Sequence, residues 1–155
     1  MRRGFTLVEL IVLMGVIGIL SGMSIPVWRG YQQKAQIKKQ AYAVADFMYA
    51  AEEQTLAEQD IYGVIMTSTT YSLLTYGESY EGQEPTVVET KSLSPNFSLT
   101  DNTIVDATSG DNEVRFSRSG VPSTTGTVQV GYTDGGPSYQ IEVTPSGAIK
   151  VNANQ

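Results

Sequence analysis

The sequence predicts an α+β protein in which one long amino-terminal helix packs on a mostly antiparallel β-sheet domain. Three observations lead there. From Leu10 to Trp28 nineteen residues pass without a charge (LIVLMGVIGILSGMSIPVW). Beyond them Ile37, Ala41, Val44, Met48 and Ala51 recur at intervals of four, three, four and three, one stripe of a helix. After Asp60 the pattern changes to apolar–polar alternation broken by Gly, Pro, Asn and Asp, the signature of short strands and turns.

The uncharged run comes first. At about 1.5 Å of rise per residue it covers about 28 Å, near the roughly 30 Å hydrocarbon core of a bilayer. In lipid such a segment satisfies its backbone hydrogen bonds as a helix. Arg2 and Arg3 precede it, and Glu9 stands just inside its start. A carboxylate there is costly, roughly 2.5 to 3.5 kcal/mol at a helix centre and less near the end, so its position asks for a reason. An ordinary secretory signal peptide has a shorter apolar region with a small-residue cleavage site beyond it. Ser21-Gly22-Met23-Ser24 imitates that site, but the run continues to Trp28. A plain signal anchor accounts for the hydrophobicity, with Glu9 snorkelling to the interface.

The helix is expected to continue to about residue 58. Its amphipathic second half presents the Ile37–Ala51 stripe to a globular domain, with Lys34, Lys38, Glu52 and Glu53 off the stripe or at its edges. Pro26 removes a backbone donor and predicts a kink, while Gly15, Gly18 and Gly22 lower helix propensity ahead of it. The same glycines also fit a small-residue face for helix–helix contact.

Strands are predicted over 61–66, 86–91, 96–100, 113–117, 126–132, 139–144 and 148–151. Residues 70–74 fit either a strand or the extension of a short helix, and 78–85 (ESYEGQEP) reads as an exposed acidic loop. The last three strands are joined by Asp134-Gly135-Gly136-Pro137 and Pro145-Ser146-Gly147, both turn sequences. The expected core includes Val114, Phe116, Val128, Val130, Ile141, Val143 and Ile149.

Composition limits the chemistry. The 155 residues suffice for one membrane helix and one modest domain. With no cysteine and no histidine, the chain has no disulfide, lacks the commonest metal ligand and lacks the usual neutral-pH base, so an enzyme is not expected. No cofactor and no metal are called for. Asp101, Asn102, Asp106, Asp111, Asn112 and Glu113 make an oxygen-rich stretch, but without the regular spacing of a calcium loop it reads as a solvated loop. The nine tyrosines read as half-buried strand and interface residues. Six of the ten basic residues precede position 40; beyond it four basic face fifteen acidic side chains, a net charge of −11. Phosphate backbones are bound by clustered Lys and Arg, so nucleic acid is not an expected partner.

The first thirty residues carry a resemblance. A short basic leader, then Gly4-Phe5-Thr6-Leu7-Val8-Glu9, then an apolar helix, resembles the signal of type IV pilins and pseudopilins. The resemblance implies that a prepilin peptidase cuts between Gly4 and Phe5 and methylates Phe5. It implies that Glu9 neutralises a neighbouring subunit's terminal amine during assembly, and that Gly18 and Pro26 mark a helix segment that loosens in the filament. The implied divisions are a leader (1–4), a transmembrane and assembly half-helix (5–28), an amphipathic half-helix (29–58) and a β-rich domain (59–155). The implied partners are other pilin-like subunits, the peptidase, an inner-membrane assembly platform and membrane lipid. The implied location is the cytoplasmic membrane, single-pass, with the globular domain on the periplasmic side. Arg29, Lys34, Lys38 and Lys39 beyond the run oppose that orientation by the positive-inside rule; the leader supports it.

The ending, F-S-R-S-G, G-T-V-Q-V and Y-Q-I-E-V-T-P-S-G-A-I-K-V, resembles the H-type minor pseudopilins of type II secretion and related minor pilins. Some relatives take up DNA through a carboxy-terminal Gly-Arg-x-Arg. Here that stretch is Gly147-Ala148-Ile149-Lys150, which departs at both arginines. The expectation is a structural, minor pilin-like subunit. A tip adhesion module, a DNA-uptake pilin and a plain anchored periplasmic domain are the alternatives.

Overall fold

The computed structural model describes residues 5–77, 84–105 and 110–154, and within its helix leaves the side chains of 23–27 and 29 undescribed. The leader, most of the acidic 78–85 stretch and Asp106 fall outside the described residues. The first helix, α1, runs Leu7–Glu58 without interruption. Gln59 follows in the left-handed region (φ 57°), and its amide Nε2 donates to the Leu56 carbonyl at 2.9 Å, closing the last turn. Eight strands follow: β1 (Tyr62–Met66), β2 (Thr70–Thr75), β3 (Thr86–Ser92), β4 (Phe97–Thr100), β5 (Glu113–Phe116), β6 (Gly126–Tyr132), β7 (Ser138–Val143) and β8 (Ile149–Asn154). The ambiguous 70–74 segment is thus a strand.

The chain divides into two compact units, 1–35 and 36–155. In the first, the described helix exposes its large apolar side chains from Leu7 to Leu20, each about half or more accessible. Among the described residues no helix is long and apolar enough to cross a membrane. The described apolar run stops at Gly22, and the uncharged stretch of the sequence passes on through side chains left undescribed.

In the second unit the strands form two antiparallel sheets of four, ordered β3-β2-β1-β5 and β4-β6-β7-β8. The division into two sheets was not legible in the strand pattern. Both sheets and the helix share one core. Ile37, Ala41, Val44, Met48 and Ala51 are inaccessible and cluster with Val64, Met66, Val114, Phe116, Val128, Val130, Ile141, Val143 and Ile149. All seven core residues expected from the strands are buried. Burying side chains of this size stabilises by about 1.5–3 kcal/mol each. Register explains the alternation in the second sheet: Val128 lies opposite Ile141, which lies opposite Val151, while Gly126 and Val143 align with Ile149. The Phe97 and Tyr132 rings, paired across β4 and β6, sit 4.5 Å apart. The sheets are joined through the β1–β2 turn, where Leu93 N–H donates to the Thr69 carbonyl and Leu99 N–H to that of Ser68.

Glu52 sits at the margin of this core, where α1 meets two loops; a Cβ placed on Gly120 or Gly147 would lie 3.5 or 3.7 Å from its carboxylate oxygen. Burial raises its pKa above the usual 4.5. A carboxyl whose folded pKa exceeds its unfolded one penalises the fold once ionised, and the penalty vanishes below the unfolded pKa. Glu52→Gln is therefore expected to raise the melting temperature of the detergent-solubilised chain at pH 7 and to leave it unchanged at pH 3. Thermal unfolding followed by circular dichroism at the two pH values tests this.

Candidate assembly surfaces

The first surface is the start of α1. Thr6 precedes the first helical residue and Glu9 lies three positions on. Thr6 N–H donates to Glu9 Oε2 at 2.9 Å, the Thr6 hydroxyl donates to the same oxygen at 2.8 Å, and Glu9 N–H donates back to Thr6 Oγ1 at 3.3 Å. This is a capping box, which satisfies donors that a helix start leaves open. The Thr-x-x-Glu spacing ahead of an apolar run encodes it, a signal the sequence reading passed over. The carboxylate stays exposed and its other oxygen keeps acceptor capacity, so local capping leaves room for an incoming ammonium. Phe5, four residues before Glu9, is the most exposed large apolar side chain among the described residues.

The second surface is the outer side of α1 in the 36–155 unit, and two lines of seven-residue spacing run along it. Ala43, Ala50 and Ala57, with Asp46 and Glu53 between them, form one wall of an open groove of about 720 Å³. The hairpin of β2 and β3 forms the other wall through Tyr71, Leu73, Val88, Glu89 and Lys91. The Lys91 ammonium is neutralised by Glu89 at 3.4 Å and rests 4.8 Å from the Phe47 ring centre. That leaves Asp46 and Glu53, both exposed, without an ion pair among the described residues. One position earlier, about 100° around the helix, Tyr42, Tyr49 and Leu56 form a ridge; each is 44–46% exposed. The ammonium of Lys38 lies 5.6 Å from the Tyr42 ring centre, and the Tyr49 hydroxyl donates to the Ile149 carbonyl at 2.6 Å. The β3 edge strand is exposed along its whole length.

One member of the oxygen-rich stretch lies apart from the loop. Glu113, one of its members, is buried in β5, where the Tyr76 hydroxyl donates to its Oε1 at 2.5 Å and Arg115 Nε to its Oε2 at 3.0 Å. Arg115 Nε also lies 3.0 Å from the Tyr76 oxygen. Burial, and next the bond to Glu113, push the Tyr76 hydroxyl above its ordinary pKa. Gly63 faces the pair across the ladder; a Cβ there would lie 2.3 Å from Glu113 Oε1. The alternation Glu113-Val114-Arg115-Phe116 already put both charges on one face, a signal the sequence reading did not use. Among the described residues no group of carboxylates is arranged to hold a metal ion. In the Gly147–Lys150 stretch, Ala148 and Lys150 stand where the DNA-binding motif has arginines, and Ile149 between them is buried in the core.

A model of the family described as type II transport protein GspH matches residues 43–147. The chain belongs to the GspH family. Its fold is shared with the minor pseudopilin EpsH of the Vibrio cholerae type 2 secretion system (TM-score 0.59, 13% identity, 76% of this chain and 97% of that one). It is shared too with the type IV minor pilin FimU of Pseudomonas aeruginosa (0.57, 13%, 81% and 97%) and with E. coli GspH (0.61, 9%, 77% and 89%). Among curated relatives, a fimbrial protein of Pseudomonas aeruginosa is 33% identical over 60 residues, 39% of either chain. The prepilin peptidase-dependent protein D of Escherichia coli K12 is 39% identical over 51 residues, 33% of this chain and 35% of that one. This GspH-family chain thus aligns with under two fifths of the length of these relatives, and the matched proteins are pilin-like subunits.

The buried pair gives a stability test. Arg115→Met leaves Glu113 buried without its cation, a change that costs about 3–5 kcal/mol, whereas replacing both members by apolar side chains of similar volume is close to neutral. Urea unfolding of Arg115→Met and of Glu113→Leu/Arg115→Met is expected to show a large loss for the first and recovery for the second.

Proposed function

We infer that this chain is a minor pilin-like subunit that joins a type II secretion pseudopilus or a type IV pilus through its amino-terminal helix. The observation that carries this is the exposed Glu9 carboxylate in the first turn of a helix whose described large apolar side chains from Leu7 to Leu20 are about half or more exposed. Family membership supplies the setting. In this reading prepilin peptidase cuts after Gly4 and methylates Phe5. Residues 5–28 hold the precursor in the cytoplasmic membrane through its uncharged run, with the β domain on the periplasmic side. The assembly platform then extracts it into a filament. Glu9 guides each addition: a carboxylate left unpaired in lipid is costly, so a neighbour's terminal ammonium at that point both relieves the cost and sets axial register. Gly18 and Pro26 supply the weak segment where the helix loosens as lipid is exchanged for protein neighbours. No step calls for a cofactor, a metal or a nucleic acid.

Glu9→Ala is expected to insert in the membrane as the wild type does and to fall at least several-fold in the sheared filament fraction, measured by immunoblotting of membrane and filament pools. Equal incorporation of the variant contradicts the role.

A further inference from the structure

The uncharged run of α1 ends on an aromatic residue and gives way to cations. Trp28 closes the run, Tyr31 lies three positions on and Lys34 three beyond that. Residues three apart are neighbours on a helix surface. The Trp28 and Tyr31 rings are accordingly 6.5 Å apart, centre to centre, and tilted by 37°. Both are among the most exposed large side chains of the described residues, at 64% and 68%, and Lys34 is exposed as well. No acidic residue stands between Glu9 and Asp46, whereas Arg29, Lys34, Lys38 and Lys39 are all basic. These cations oppose a periplasmic β domain by the positive-inside rule, and the assembly reading gives them no task.

We propose that Trp28, Tyr31 and Lys34 form a collar that binds the headgroup of an anionic phospholipid where α1 leaves the membrane. The proposal rests on the membrane-held precursor inferred above and names the lipid it meets. An aromatic ring with a polar N–H or O–H suits that boundary, where one end of the side chain is dry and the other wet. The indole and the phenol each offer a donor and the Lys34 ammonium three more, which a phosphate accepts. The six residues from Trp28 to Lys34 cover about 9 Å of helix, against the roughly 5–8 Å of headgroup region on each side of the hydrocarbon. Every Cα–Cβ bond of a helix tilts toward its amino terminus, here toward the uncharged run. The lysine stem therefore sets out toward the lipid, and snorkelling covers the difference. Charge selects an anionic lipid over a neutral one: the collar is basic, while the residues beyond position 40 carry a net charge of −11 and are repelled by such a leaflet. Screening limits the attraction to about 8 Å at physiological ionic strength, so a cation acts on the headgroups only from the boundary itself.

Trp28 is the chain's single tryptophan, so its fluorescence reports on the collar directly. The test places the full chain in phosphatidylcholine vesicles with a minor fraction of dansyl-labelled phosphatidylglycerol or, at the same mole fraction, dansyl-labelled phosphatidylcholine, and measures energy transfer from Trp28. The anionic lipid is expected to associate at least about five-fold more strongly than the zwitterionic one, the scale on which one lysine is drawn to an anionic surface. Lys34→Gln is expected to reduce that preference about five-fold and Lys34→Arg to keep it. Lys150→Gln, the same loss of charge at an exposed residue of β8, is expected to keep it too. Glu9→Ala, at the other end of the run, is expected to retain the preference while losing assembly. Equal transfer to the two lipids, or a Lys34→Gln chain with the preference of the wild type, overturns the collar and leaves the assembly role standing. A chain that does not float with the vesicles overturns the membrane placement on which the collar rests.

Discussion

The packing of one helical stripe into two sheets is the constraint on which the folded unit depends. Ile37, Ala41, Val44, Met48 and Ala51 are all inaccessible, and the apolar faces of β1, β5, β6 and β7 meet in the same cluster. Each sheet's apolar face needs a covering layer, and without cysteine there is no covalent staple. The helix supplies the missing layer. Because the stripe takes about one third of the helix circumference, the remainder of α1 is left to carry surfaces of another kind: a tyrosine ridge and an acidic, alanine-floored groove.

That division of labour shows in the distribution of charge. The buried charges, Glu113 and Arg115, are paired and capped by Tyr76, so their role is internal. The acidic residues that remain exposed on α1, Asp46 and Glu53, line a concavity, while the nearby cation Lys38 stands on the adjoining ridge. At the amino terminus Glu9 is bound by its own Thr6 and yet exposed. Glu9, Asp46 and Glu53 are each carried by the helix rather than by a flexible loop, which lowers the entropy lost on pairing with a cation.

Much of this was legible in the sequence, for identifiable reasons. The 3.6-residue period of the Ile37–Ala51 stripe and the period-two alternation of Val128, Val130, Ile141 and Val143 both report burial directly, and those residues are the core. The Gly-rich turns around 135 and 147 fixed the last hairpins. The sorting of eight strands into two sheets was not legible, because β3 is exposed on every residue and β4 is four residues long, so neither carries a pattern that names its partner. Glu113 was correctly placed at the start of a strand but was also counted in a solvated, oxygen-rich stretch, because its neighbours in sequence are acidic and polar. What decides its environment is Arg115 beside it and Tyr76, which comes from thirty-seven residues away. The groove was missed because it needs β2 and β3 as its second wall, a contact that no local period encodes.

The most direct test of the account is the intact mass and amino-terminal sequence of the protein purified from its own membrane. A chain that begins at Phe5 and carries one added methyl is the predicted result, since it places a free ammonium four residues from Glu9 and makes addition by charge pairing possible. A chain that begins at Met1, from cells with an active prepilin peptidase, contradicts it. That result would leave Glu9 as the capping residue of an anchored helix and nothing more.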